Sequence, residues 1–213
     1  MKKKVLVCLL FTVSVLACQN TASQKKPLSD AFGSKFEVAY FASGCFWCVE
    51  AIFESVKGVH EVISGYSGGF DKSPTYYEVS NGNTGHAETV AVFYDPKEIT
   101  YQTLLEVFFG SHDPTTLNRQ GPDRGSQYRS AIFYRNENEK TAALSFIEKL
   151  RSEKIYKAAI VTELVPFVKF YEAEDYHQDY ERNNPNNPYI QKVSIPRLRR
   201  FQSKFPALLK ENH

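Results

Sequence analysis

Apolar and polar residues change rhythm repeatedly along this chain, and from position 35 onward the changes mark a regular succession of elements. Continuous or alternating apolar runs at 36–42, 59–67, 87–94, 129–134 and 160–167 carry the β-branched and aromatic residues of strands. Between them, apolar positions recur at helical spacing over 45–57, 100–110 and 137–153. Short helices are expected at 75–81, behind Pro74, and at 172–180, and a last amphipathic helix at 196–209. Turn residues punctuate the pattern: Gly58 suits the C-cap of the first helix, Asp95-Pro96 closes the third strand, and Gly68-Gly69 reads as a turn. Residues 183–188 are too rich in Asn and Pro for anything but loop. The stretch 111–126 is rich in Gly, Pro and Asp, and a loop of that length in a compact domain usually serves as binding or catalytic surface.

Five strands interleaved with helices predict an α/β (α+β) sandwich, one sheet with helices packed on it. No internal repeat and no linker divides 35–213, which reads as a single domain. With 42% hydrophobic residues the chain lies outside the disordered class and can bury a sizeable core.

The first residues follow a different logic. Lys2, Lys3 and Lys4 form a basic start, and 5–17 is an apolar stretch too short to span a bilayer. It ends in Val15-Leu16-Ala17-Cys18, which resembles the lipobox of bacterial lipoproteins, although Leu16 is not the usual small residue there. The resemblance implies cleavage before Cys18 and lipidation of Cys18. The other reading is an ordinary signal peptide cut near Ala17, and both send the domain out of the cytoplasm. Gln19 after the cysteine resembles an outer-membrane address in Gram-negative lipoproteins, and the polar stretch 18–34 reads as a tether. Losing 1–17 removes three of the 26 basic residues and none of the 24 acidic ones, so the net charge falls from +2 to −1. That balance points away from nucleic acid. The basic cluster Lys192, Arg197, Arg199, Arg200 and Lys204 reads as a solvated helix face.

Cysteine usage narrows the chemistry. Cys8 leaves with the signal and lipid caps Cys18, so Cys45 and Cys48 remain to react. A bridge across two intervening residues closes almost no loop entropy, so this pair is not a structural staple. Gly44-Cys45-Phe46-Trp47-Cys48 sits between an apolar strand and a helix, which places Cys45 at a helix N-terminus, where free N–H groups favour the thiolate. Cys-x-x-Cys alone fits a thioredoxin-like redox pair, half of a zinc site, or an activated nucleophile with a resolving thiol. Zinc lacks a second pair, and His60, His86, His112, His177 and His213 show no ligand spacing. His86 and His177 read as structural, hydrogen-bonded histidines.

Further motifs follow in order: Pro74-Thr75-Tyr76, Gly85-His86-Ala87-Glu88, the stretch from Gly121-Pro122-Asp123-Arg124 through Tyr128 to Ser130, and Ala173-Glu174-Asp175-Tyr176-His177-Gln178. Together with Gly44-Cys45-Phe46-Trp47 they resemble the methionine sulfoxide reductase A family over about 35–180. The resemblance implies a mixed sheet with a ferredoxin-like core and a peptide-methionine (S)-S-oxide reductase that repairs oxidised proteins. It makes Cys45 the nucleophile toward the sulfoxide sulfur. Glu88 becomes the general acid, its pKa raised by an apolar pocket, and Tyr76 and Tyr128 hydrogen-bond donors to the sulfoxide oxygen. Phe46 and Trp47 would box the substrate methyl group, and Asp123 would hold the loop or a water at the substrate. Position 48, usually Gly in the family, is Cys here, as in its Cys-Phe-Trp-Cys subset. Cys48 would then close a disulfide with Cys45, and a thioredoxin-like donor would reopen it. The implied system needs no metal or organic cofactor. Its partners are sulfoxide-bearing proteins or peptides, with free methionine sulfoxide a further substrate, and it works as a monomer anchored in the bacterial cell envelope through Cys18. Two rival readings are a tethered thioredoxin-like disulfide oxidoreductase, which needs the cysteine pair but no acid, and a non-catalytic lipoprotein, which needs neither.

Overall fold

The computed structural model describes residues 35–211. The expected signal sequence, Cys18 and the expected tether lie outside the described residues. Strand β1 (Glu37–Ser43) leads into helix α1 (Phe46–Glu54), followed by β2 (Val59–Ser67), the short α2 (Tyr76–Ser80) and β3 (Ala87–Tyr94). Next come α3 (Tyr101–Ser111), the two-residue strands β4 (Arg119–Gln120) and β5 (Asp123–Arg124), β6 (Ser130–Tyr134) and α4 (Glu137–Ser152). β7 (Glu163–Pro166), β8 (Phe170–Glu172), α5 (Tyr180–Asn183) and α6 (Ile195–Lys204) follow. Side chains start three of the helices. Thr75 and Glu78 form a capping box on α2, Thr100 accepts from the Thr103 N–H, and Asn136 accepts from the Glu139 N–H.

The main sheet runs β7-β6-β1-β3-β2-β8, antiparallel throughout except for β6–β7. Its inner strands β6-β1-β3-β2 arise from the succession β1-α1-β2-β3-α3-β6, the ferredoxin-like split βαβ arrangement, so the expected mixed sandwich is borne out. On one face Phe41 of β1 stacks on Phe53 of α1 and Phe108 of α3, each 5.2 Å away between ring centroids. The other face is floored by Ala42, Ala87, Ala131 and Phe133. It is covered by the segment after β7, where Phe167 stacks on Tyr40 at 4.0 Å. Because both faces are covered, all eight residues of β3 are buried.

Four expectations need correction. The helix expected at 172–180 is instead β8, a one-turn 3-10 helix at Asp175–His177 and the short α5. The open edge of β2 outweighs weak helix propensity there: Gly65 pairs with Glu172, and the Gln178 side chain accepts from the Ser64 N–H and donates to the Ser64 carbonyl. The strand expected at 160–167 is confined to β7, where it pairs with β6. The C-terminal helix starts earlier than 196, through a π turn at Ile190–Ser194. A proline at 196 has no N–H for the carbonyl four residues back and its ring would clash there, and the wider π turn relieves both problems. On that helix Arg197 is only 6% exposed. The solvated basic face therefore holds for Lys192, Arg199, Arg200 and Lys204, all exposed, but not for Arg197, which turns inward.

Candidate active site

β1 lies antiparallel to both neighbours, with Phe41 opposite Val90 and Ser43 opposite Ser130, so its end meets the starts of β3 and β6. Gly44 makes the turn from strand to helix at φ +97, and a Cβ there would stand 2.6 Å from Gln120 Cβ, so no other residue fits. Cys45 follows as the N-cap of α1, its carbonyl accepting from the Cys48 and Val49 N–H groups. Glu88 projects from the start of β3, Tyr128 from a 3-10 turn before β6, and Tyr76 opens α2. The fold thus brings together residues spread over more than eighty positions.

The first N–H of α1 is not free for the Cys45 thiol. It belongs to Phe46 and donates to Glu88 Oε2 at 3.0 Å. Glu88 is 2% exposed, and burial pushes its carboxyl up to about 8 in spite of that hydrogen bond. With Oε2 accepting, the acid proton sits on Oε1. Cys45 is also buried, and burial pushes its thiol well above the ordinary range, with Cys48 and Glu88 adding to the rise. This corrects the expectation that the helix start makes Cys45 the stable thiolate: Glu88 takes that position instead. Cys48 behaves oppositely. The hydrogen bond from Cys45 and the charge of Arg197 draw it down to about 7 against the cost of its burial. Both thiols are free.

Around this pair the aromatic residues fall into two layers. Phe46 is 1% exposed and lies beneath, in contact with Tyr66, Tyr76 and His177. Trp47 is half-buried and stacks on Tyr180 at 3.8 Å. Its indole N–H donates to His177 Nδ1 at 3.0 Å, which fixes the His177 proton on Nε2. Burial lowers His177 to about 4, so it is neutral at physiological pH. The phenols of Tyr76 and Tyr128 are pushed up by burial and by Glu88, which keeps both as neutral donors. His86 holds the Gly68-Gly69 turn by accepting from the Gly69 N–H, as a structural histidine would.

Residues 37–208 match the family described as Peptide methionine sulfoxide reductase. The chain belongs to that family. Peptide methionine sulfoxide reductase MsrA of Sulfolobus acidocaldarius is 54% identical over 170 residues, covering 80% of this chain and 96% of its own length. Peptide methionine sulfoxide reductase MsrA 1 of Rhodopirellula baltica is 51% identical over 174 residues, 82% of this chain and 90% of its own. Among solved structures, reduced Mxr1 of Saccharomyces cerevisiae superposes with a TM-score of 0.67 at 35% identity, covering 72% of this chain and 88% of that one. Methionine sulfoxide reductase A of Corynebacterium diphtheriae gives 0.64 at 34% identity, covering 72% and 77%. The chain is an oxidoreductase of this type.

Tyr189, beside the site, carries no local signal in the sequence. Tyr189 donates to Asp123 Oδ2 at 2.6 Å, and its hydroxyl stands 3.9 Å from Cys48 Sγ. Asp123, expected to hold the loop or a water, is therefore tied to the C-terminal segment. Glu174 accepts from the Tyr66 hydroxyl and the Tyr76 N–H, so the 173–178 motif holds Tyr66 and Tyr76 from behind. A further cluster, Glu50, Glu54 and Asp179, brings three carboxylates within 4.8 Å. Burial pushes Glu50 up to about 8 and Glu54 up to about 7, and Arg182 pairs with Asp179, so protons and a guanidinium offset the charge there.

Proposed function

We propose that the reductase removes the oxygen of methionine S-sulfoxide, in damaged proteins and peptides or free, through a cycle run by Cys45, Glu88 and Cys48. One observation carries this reading. A buried carboxyl, protonated at neutral pH, is anchored to the first N–H of the helix that presents Cys45. A sulfoxide is a poor electrophile until its oxygen is protonated, and an acid beside the nucleophile supplies that proton. Cys45 Sγ bonds to the sulfoxide sulfur as Glu88 Oε1 protonates the oxygen, with Tyr76 and Tyr128 donating to it. The oxygen passes to Cys45 as the methionine sulfur gives up its bonds to the oxygen and to Cys45, and the proton lost by the Cys45 thiol restores Glu88. Methionine leaves reduced, and Cys45 is oxidised to a sulfenic acid.

Phe46 and Trp47 box the substrate methyl group, with Asp123 fixing the loop that closes the site. With the methyl in that corner and the oxygen at the donors, a single epimer fits, the S form. Cys48 then attacks the sulfenic sulfur, the S–S bond forms, and the oxygen leaves as water. Here the chain follows the Cys-Phe-Trp-Cys subset, and a thioredoxin-like dithiol reopens the disulfide. Yeast Mxr1 has been solved in complex with Trx2. All electrons come from thiols, and all site residues come from one chain, which supports a monomer. The 1–17 signal and Cys18 support a lipoprotein of the bacterial cell envelope, facing the periplasm and held at the outer membrane. No helix among the described residues is long and apolar enough to cross a membrane, and in this reading the lipid on Cys18 is the anchor.

The deciding experiment is single-turnover reduction of the two separated epimers of a methionine sulfoxide peptide, with thiols counted before and after. Reduction of the S-epimer with loss of two thiols is expected. Reduction of neither epimer would leave a disulfide oxidoreductase. Labelling with a fatty acid, abolished by Cys18→Ala, tests the anchor.

A further inference from the structure

Arg197 reaches the site from the C-terminal helix, far in sequence from every motif that marks it. Its Nε donates to the Ser111 carbonyl at 2.9 Å, and its Nη2 to the Ser43 carbonyl at 2.9 Å and the Ser43 hydroxyl at 3.3 Å. The third nitrogen, Nη1, lies under the turn that carries Cys45, 3.5 Å from where a Cβ on Gly44 would stand. None of its hydrogen-bond partners carries charge. A guanidinium that is 6% exposed and bonded to neutral groups alone is costly to bury unless something nearby becomes negative.

Two groups near it can: Asp123, whose carboxyl burial pushes up and the Arg197 charge draws back, and Cys48. Cys45, Glu88, Tyr189, Ser194 and Arg197 face it, and Arg197 is the cation among them. The two hydroxyls are already committed, since Tyr189 donates to Asp123 and Ser194 donates to Glu181. Each has a single proton, so both lower Cys48 less than the Arg197 charge does. His112, also near Arg197, is held neutral by burial and by that charge, down to about 3, and does not compete as a cation.

We propose that Arg197 is a positioning residue for the second half of the cycle: its guanidinium offsets the negative charge on Cys48 both when Cys48 attacks Cys45 and when the disulfide is reopened. In the attack, Cys48 sulfur bonds to the Cys45 sulfenic sulfur, the S–O bond breaks, and the oxygen leaves as water with a proton from Glu88. In reopening, the reductant thiolate bonds to Cys45, and Cys48 departs as the thiolate beside Arg197. The inference rests on the proposed resolving role of Cys48. The simpler alternative is that Arg197 only clamps the end of α3 to the end of β1, since a cation suits a helix C-terminus.

Rapid-quench single turnover separates the two. In Arg197→Gln, methionine release should stay within about 2-fold, whereas disulfide closure at pH 7 should slow about 10-fold and recover above pH 9 as Cys48 ionises unaided. Arg197→Lys should restore closure to within about 3-fold. In a Cys45→Ser background, the pH midpoint of Cys48 alkylation should rise on Arg197→Gln and return on Arg197→Lys. Unchanged closure, or equal loss of both half-reactions, would overturn the proposal. If Arg197→Gln does not fold, the Cys45→Ser protein with Arg197 intact still decides: a Cys48 midpoint at or above the ordinary thiol value of about 8.5 defeats it. Cys48→Ser, run alongside, tests the underlying reading separately. Normal thioredoxin-driven turnover there would show that Cys48 is not the resolver.

Discussion

The two cysteines of this site stand three residues apart on one helix, yet the molecule surrounds them with opposite walls. Cys45 faces the sheet, where β3 supplies a protonated carboxyl and burial keeps the thiol neutral. Cys48 faces the C-terminal segment, where Tyr189, Ser194 and Arg197 gather and the thiol is drawn down to about 7. One wall supplies a proton and the other offsets a negative charge. The difference matches the two halves of the proposed reaction, because sulfoxide attack needs an acid and disulfide closure needs a thiolate. A single environment could not favour both.

The largest effect should come from the sheet wall. Glu88→Gln keeps an acceptor for the Phe46 N–H but removes the proton, so methionine release should fall by about 10²-fold or more. The wild-type first half-reaction should show the same cause. Glu88 acts while protonated, so the rate should be flat below about pH 7 and decline as pH rises through about 8. A first-turnover rate that rises across that interval would show that ionisation of Cys45, not the acid, limits the step.

The two walls also differ in how far they can be read from sequence. The sheet wall was legible because its parts are local: a strand-to-helix turn, Gly44, and an acid at the start of a β run, each in a short motif. Cys45, Glu88, Tyr76 and Tyr128 meet as those motifs implied. Only the helix N-terminus was misassigned, since sequence cannot show that β3 places Glu88 on the Phe46 N–H. The C-terminal wall was not legible. Tyr189 follows an Asn- and Pro-rich loop, and Arg197 sits in a row of basic residues whose other members face solvent. What selects these two is a long-range docking of α6 and the π turn onto the ends of α3 and β1. The missed strand β8 has the same origin, an edge of β2 that recruits a segment with no strong preference of its own.

A smaller effect joins the walls at Trp47. His177→Phe keeps an aromatic ring against Phe46 and Tyr76 but removes the acceptor of the indole N–H. An unsatisfied, part-buried donor costs on the order of 1–3 kcal/mol, so KM for a sulfoxide peptide should rise about 10-fold with kcat nearly kept. Because burial lowers His177 to about 4, the wild-type KM should show no histidine titration between pH 5 and 8. A collapse of kcat in this variant would place His177 in the chemistry rather than behind it.

The smallest expected effect is on stability and falls where α1 meets the C-terminal segment. Glu50 is 2% exposed. Its Oε1 accepts from the Asp179 N–H, while Oε2 and the nearby Ser64 Oγ each lack a partner within hydrogen-bond distance. Burial pushes its carboxyl up to about 8, so the folded protein holds a proton there that the unfolded chain releases above about 4.3. The contribution is therefore fully present below that lower value and lost as pH rises through about 8. Glu50→Gln keeps the bond from Asp179 and offers Ser64 a donor without a charge to desolvate. It should match the wild type at pH 4 and exceed it by about 1–2 kcal/mol at pH 8.5 in denaturant melts. A variant less stable than wild type at pH 8.5 would mean that Glu50 is ionised and held by a cation, and that Glu50, Glu54 and Asp179 are not kept together by protons.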